Sequence, residues 1–210
     1  MKKFIAILTV LCLLCGAAMA DTSPRILIAY LSRAGENYNV GVTNPDSASA
    51  AYAGYIEKGN TQIVAEILAK LTGGDLYRIE TVEPYPDDYA SMLTRAREEL
   101  DADARPKLAG ELPNLDDYDA LMIGYPIWHG ATPRPVLTFL EHYDLSGKTL
   151  IPFNTHEGSG QSGTVSEISV SAPNAIMLDG IAIQGKTAQE NADQTRELLV
   201  EWLVNIGVCF

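Results

Sequence analysis

Short unbroken apolar runs alternate along this chain with longer amphipathic stretches. Ile26 to Leu31, Ala120 to Gly124 and Thr149 to Asn154 are largely apolar, with none of the polar alternation of a half-exposed strand. Runs of that kind suit strands buried on both faces. Leu76 to Glu80 alternates as a strand does, and a fifth strand is expected near Ala175 to Leu178. Helical periodicity fills the intervals. Ile63, Val64, Ile67, Leu68 and Leu71 share one face of a helix that opens at Gly59-Asn60-Thr61 and stops at Gly73-Gly74. Further helices are expected from about Tyr89 to Asp101, from Pro135 to Tyr143 and from Val165 to Ser171. A closing helix places Leu198, Leu199, Trp202, Leu203 and Ile206 on one side. Strands alternating with helices predict an α/β fold, a parallel sheet covered on both faces. No internal repeat or second domain interrupts the pattern.

Composition changes the picture mainly at the start of the chain. The sequence has 210 residues, 47% hydrophobic and 20% charged, enough for one domain with an ample core. Lys2 and Lys3 precede an apolar run from Phe4 to about Leu14, followed by small residues ending in Ala18-Met19-Ala20. That is the layout of a secretory signal, and the run is shorter than the roughly 20 residues of a comfortable membrane span. Cleavage after Ala20 is expected, leaving a domain of residues 21–210 with no stable membrane insertion. Losing the two lysines takes the net charge from −12 to −14. So acidic a body argues against nucleic acid or an anionic membrane as partner. Cys12 and Cys15 leave with the leader, so Cys209 stands alone and no intramolecular disulfide can form.

Candidate chemistry gathers in three loops that an open parallel sheet would bring to one edge, beyond the C-terminal ends of its strands. The first pairs Ser32-Arg33-Ala34-Gly35 with Gly59-Asn60-Thr61. Hydroxyl, amide and glycine residues at a helix N-terminus suit a phosphate, although Asn60 or Thr61 would serve equally as an ordinary cap. The second is Gly124-Tyr125-Pro126-Ile127-Trp128-His129-Gly130, whose indole suits either stacking on a flat ligand or filling the core. The third runs from Thr155 to Gly163, where Gly158, Ser159 and Gly160 let the backbone approach a ligand closely. His129 and His156 lack companions at ligand spacing, so no metal site is expected. Gly158-Ser159-Gly160 lacks the spacing of a nucleophile elbow, which argues against a serine hydrolase. The polar segment from Ser32 to Lys58 is too long for a plain connection.

Taken in order, Tyr30-Leu31-Ser32-Arg33-Ala34-Gly35-Glu36-Asn37, Gly59-Asn60-Thr61, Pro84-Tyr85-Pro86, Gly124-Tyr125-Pro126-Ile127-Trp128 and Gly147-Lys148-Thr149 with Pro152-Phe153-Asn154-Thr155 resemble a flavodoxin of the long-loop bacterial type. The resemblance spans about Ile26 to Ile206. It implies a flavodoxin-like three-layer sandwich, with a five-stranded parallel sheet in the order 2-1-3-4-5 and FMN at the switch between strands 1 and 3, a case for which flavodoxin is itself a standard example. It further implies that Ser32, Asn60 and Thr61 cradle the phosphate with help from Arg33. Pro126, Ile127, Trp128 and His129 would flank the ribityl chain and ring, with Trp128 stacked on the ring. Thr155, His156, Gly158, Ser159 and Gly160 would cover its other side. Ala34 stands where the family commonly has Thr. Losing that hydroxyl would cost about 0.5–1.5 kcal/mol of binding, or up to about 3 if charge-assisted.

The resemblance implies an FMN-dependent redox protein, either an electron carrier or a small reductase. Its partner would be a redox protein or a small quinone-like or nicotinamide substrate. His129 or His156 could deliver a proton to such a substrate. Glu157 is read either as a solvated loop charge or as a carboxylate that lowers the flavin potential. The rival is a non-redox binding module that keeps the fold without the cofactor. The leader carries Lys2-Lys3 rather than a twin-arginine pair, so export would thread an unfolded chain and flavin would be acquired outside the cytoplasm.

Overall fold

In a computed structural model of the chain, which describes residues 24–36 and 55–208, the first strand is β1, Ile26–Tyr30, with all five residues buried. The expected leader, Cys209 and most of the 32–58 segment, Tyr38 and Tyr52 included, lie outside the described residues. Two short strands, β2 (Gly35–Glu36) and β3 (Tyr55–Ile56), pair antiparallel and lead into helix α1 (Asn60–Thr72). Gly73 closes α1 in the left-handed conformation, φ 70°, with its N–H donating to Ala69 O. Strand β4 (Asp75–Arg78) begins one residue before the expected position and is largely exposed, as an edge strand should be. Helix α2 (Tyr89–Asp101) is capped by the Asp88 carboxylate, which accepts from the amides of Ala90 and Ser91.

Strand β5 (Ala120–Pro126), helix α3 (Arg134–Glu141), strand β6 (Thr149–His156) and helix α4 (Thr164–Ser171) follow. Then come β7 (Ile176–Met177), β8 (Ile181–Gln184), α5 (Gly185–Glu190) and α6 (Ala192–Asn205). The main sheet is parallel in the order β4-β1-β5-β6, with β7 and β8 both on the free edge of β6. By position this is the expected 2-1-3-4-5 arrangement, with the fifth strand in two pieces.

Proline 152 accounts for the break. The N–H groups of Ile176 and Leu178 donate to Lys148 O and Leu150 O, so alternate residues of β6 face the fifth strand. The next residue in that series is Pro152, which has no N–H to give. Gly180 passes close beside it, where a Cβ would lie 2.8 Å from both its ring and its carbonyl oxygen. Pairing resumes at Phe153 with Ile181. Only the first piece is foreseen by the apolar pattern.

Side chains alternate across the sheet into two cores. Leu27, Ala29, Leu121, Ile123 and Tyr125 meet Met92 and Ala96 of α2, Val136, Phe139 and Leu140 of α3, and Ile168 of α4. Ile26, Ile28, Met122, Ile151 and Phe153 meet Val64 and Leu68 of α1, Ala188 of α5, and Leu199, Trp202 and Leu203 of α6. Gly124 is required where it stands, because a Cβ there would lie 2.1 Å from the Phe153 ring. Among the described residues no helix is long and apolar enough to cross a membrane.

Candidate functional site

The chain leaves β1 toward β4 on one side of the sheet and later returns to β5 on the other, which opens a crevice beyond the C-terminal ends of β1 and β5. A cavity of about 430 Å³ lies there, within the range of small-molecule sites. It is lined by Ser32, Arg33, Asn60, Thr61, Pro126, Ile127, Trp128, His129, Thr155, His156, Gly158 and Ser159, so twelve of the fourteen sequence-predicted residues converge on one space. Ala34 instead lines a neighbouring cavity of about 280 Å³, with Arg78, Tyr85 and Trp128, which borders both cavities. Gly160 lines neither cavity; its carbonyl accepts from the Nδ2 of buried Asn154, which ties the third loop to β6.

At the α1 end, Gly59 precedes the helix without a side-chain cap, and Ser32 supplies one from far back in the chain. Its Oγ accepts from the Gln62 amide at 3.0 Å, leaving its O–H free to turn toward the cavity. The turn at Ser32 and Arg33 presses against Gly59 so closely that a Cβ there would lie 2.3 Å from Arg33 O and from Ser32 Oγ. Among the described residues the amides of Asn60 and Thr61 meet no acceptor, so the helix presents donors and the positive end of its dipole to the crevice. Thr61 and Thr155 share a buried hydroxyl contact of 2.8 Å that closes the floor. Arg33 donates through Nε to Pro86 O at 3.3 Å and through Nη2 to Asp87 O, bracing the loop before α2.

The opposite end is apolar. Trp128 is only 9% exposed, packed in the core and edge-on to Tyr85, with ring centres 4.8 Å apart. It therefore fills core space and walls the cavity at once. Tyr85 is itself braced: Arg95 lies 4.1 Å over its ring, its hydroxyl donates to Glu99, and burial raises its pKa. His129 and Gly130 form a tight two-residue turn, with φ of 50° and 75° and reciprocal bonds between Trp128 and Ala131. Both central residues need positive φ, which glycine accepts freely and histidine more readily than most. The His129 Nε2 donates to Leu93 O at 2.9 Å, pinning the turn to α2. Past the turn, Glu167 accepts from the Thr132 amide and Asp103 from the buried Arg134.

The third loop brings His156 and Glu157. His156 Nδ1 accepts from the Gly158 amide at 2.9 Å, which places the proton of the neutral ring on Nε2. Burial lowers its pKa. Glu157 is no solvated loop charge. Its Oε1 accepts from Asn60 Nδ2 at 3.2 Å, its Oε2 is enclosed without a partner among the described residues, and burial pushes its pKa up to about 7. Tyr89, Met92 and Leu93 of α2 also line the cavity. The sequence pattern predicts α2 as a helix without assigning it to the site, although these three stand at i, i+3 and i+4, the spacing of one apolar face.

An α/β protein with a ligand site at the switch point of its sheet is thereby defined. The profile of the flavodoxin family matches residues 47–206, most of the chain, and the chain belongs to that family. It is similar in structure to a protein from Bacteroides eggerthii assigned as a flavoprotein, at 27% identity and a TM-score of 0.64, covering 89% of this chain and 100% of the other. A second such protein, from Bacteroides uniformis, is 24% identical with a TM-score of 0.62, covering 85% and 99%. A flavoprotein from Lactobacillus acidophilus, solved in complex with FMN, is 18% identical with a TM-score of 0.54, covering 79% and 95%. No curated protein matches.

Proposed function

We propose that this chain binds FMN and works as a redox protein outside the cytoplasm. One observation carries the reading: a single cavity joins unanswered helix amides at one end to an apolar wall at the other. A ligand with an anionic group and a flat ring system satisfies both ends. Membership of the flavodoxin family supports the choice of FMN, and so does the fold shared with an FMN-bound flavoprotein. Bound there, FMN would supply transfer of one or two electrons. The protein's part is separate. The amides of Asn60 and Thr61 and the Ser32 hydroxyl would hold the phosphate. Ile127, Trp128, Met92 and Leu93 would shape the apolar end and keep water from it.

The two histidines differ in what they can offer a second, quinone-like substrate. His129 spends its Nε2 proton on Leu93 O, whereas His156 keeps an Nε2–H for the cavity it lines. His156 is therefore the residue to test for proton delivery. The secretory leader supports an extracytoplasmic address, with a redox protein or a small quinone-like or nicotinamide molecule as partner. Titrating the mature protein with FMN, followed by visible absorption and quenching of flavin fluorescence, tests the central point. Saturable binding is expected, and none at high micromolar FMN would overturn it in favour of a non-redox module. Assays of the loaded protein with nicotinamide donors and quinones then separate reductase from carrier.

A further inference from the structure

Glu157 sits where an acid is hardest to justify. It follows β6 in the cavity wall, and its carboxyl faces the first residue of α1 rather than solvent. Three neighbours fix it. Asn60 donates to Oε1, and Asn60 cannot turn its own carbonyl oxygen that way, because Gln189 Nε2 already donates to Asn60 Oδ1 at 2.8 Å and to Lys58 O at 2.7 Å. Gly185 at the start of α5 completes the enclosure. A Cβ there would lie 2.0 Å from Glu157 Oε1 and 2.1 Å from Asn60 Nδ2. The second oxygen, Oε2, is enclosed with no hydrogen-bond partner among the described residues.

An enclosed carboxylate normally needs a cation. Among the described residues, the charged and titratable groups on the elements around it do not provide one. On the approach to α1, Lys58 is bonded to Glu66 at 2.7 Å, and on α5 Lys186 lies 3.9 Å from Glu190. Arg33 donates to the carbonyls of Pro86 and Asp87, and the adjacent His156 is kept neutral by burial. Burial with a single amide donor leaves Glu157 titrating at about 7. The α1 amides beside it are where a phosphate would dock, and a phosphate monoester, whose second pKa is about 6, is largely a dianion at neutral pH. Two negative groups at one helix terminus raise each other's proton affinity.

Resting on the FMN reading, we propose that Glu157 is the residue through which this site takes up a proton when a phosphate-bearing ligand docks at the first turn of α1. The ligand is then held beside a neutral carboxylic acid instead of being opposed by a carboxylate. Glu157 acts here as a positioning residue, through Asn60 and through charge. The proton comes from solvent, so affinity falls as pH rises above the titration of Glu157, approaching about tenfold per pH unit.

Calorimetric titration of the mature protein with FMN at pH 8, in buffers of different ionisation enthalpy, counts the protons bound. The expected result is an uptake approaching one proton with FMN and far less with riboflavin, which lacks the phosphate. Glu157→Gln should bind FMN with an affinity flat from pH 7 to 8.5 and take up no proton. Equal uptake in wild type and variant, or equal uptake with FMN and riboflavin, overturns the role of Glu157 and leaves the FMN reading intact. The ligand comparison in wild type decides the matter if the variant folds poorly. Absence of FMN binding by both proteins overturns the FMN reading itself, and this proposal with it.

Discussion

At the α1 end of the cavity two backbone amides and one carboxyl oxygen are left unanswered among the described residues, whereas at the Trp128 end nearly every group is already engaged. The amides of Asn60 and Thr61 meet no acceptor among the described residues, and Glu157 Oε2 meets no donor. Around Trp128, the Tyr85 ring, the reciprocal bonds across the His129-Gly130 turn, the His129 bond to α2 and the Glu167 bond to Thr132 are all made within the protein. The difference separates two kinds of preorganisation. A flat apolar surface is cheap to hold rigid, since packing alone fixes it. An anion site must keep donors unsatisfied until the ligand arrives, which costs stability in the free protein.

Substitutions that strike the two ends should therefore lose different things. The largest effect is expected for Trp128→Ala. A buried Trp removed from a core costs about 3–5 kcal/mol, so urea denaturation of the apoprotein should show that loss together with weaker FMN binding. Weaker binding with unchanged stability would mean that the indole serves only the ligand, and the contrast between the ends would break. Gly59→Ala strikes the other end. Its Cβ would meet Arg33 O and Ser32 Oγ at 2.3 Å, so the Ser32 turn must shift off the helix. Overpacking of this kind costs about 1–3 kcal/mol. FMN affinity should fall more than riboflavin affinity, because the shift spoils the phosphate end alone. An equal fall for both ligands would count against the division.

How much was legible in the sequence follows the same line. The alternating strands and helices, α1 with its Gly73 stop, and the three loops that supply twelve cavity residues rest on local signals: apolar runs, helix stops, and loops rich in Gly, Pro, Ser and Thr, whereas the strand order follows from the flavodoxin resemblance. What escaped depends on contacts between distant segments. Glu157 looks like any loop charge until Gly185 and Gln189, about thirty residues on, close over it. The second half of the fifth strand was missed because four residues, Ile181–Gln184, carry too little pattern, and Pro152 hides the break that sets them apart. Arg33 lines the cavity as expected, but its bonds to the Pro86 and Asp87 carbonyls, far along the chain, follow from no local rule.

A pH titration of stability sharpens the account of the α1 end without any ligand. The carboxyl of Glu157 has its pKa raised from 4.5 to about 7 by burial, so between those values the folded protein holds a proton that the unfolded chain has released. Stability must then fall as pH rises from about 4.5 to about 7 and level off above, since the folded state binds more protons there. Glu157→Gln lacks this term. Its stability relative to wild type should rise by about 1–2 kcal/mol across that window, a figure reduced for partial solvent access. Parallel pH profiles for the two proteins would show that the carboxyl is solvated after all.

The smallest effect tests whether the Trp128 end is as redundant as its contacts suggest. Tyr85→Phe removes only the hydroxyl bonded to Glu99 and keeps the ring against Trp128. Glu99 retains its ion pair with Arg95 at 2.8 Å, so no charge is stranded. One such hydrogen bond is worth about 1 kcal/mol, and that much should be lost from stability. FMN affinity should stay within about twofold of wild type, because the wall is held by packing and by the pinned turn as well. A large loss of affinity from this one hydroxyl would show that the wall depends on a single brace. The contrast would then fail, since the apolar end would need a specific polar contact just as the α1 end does.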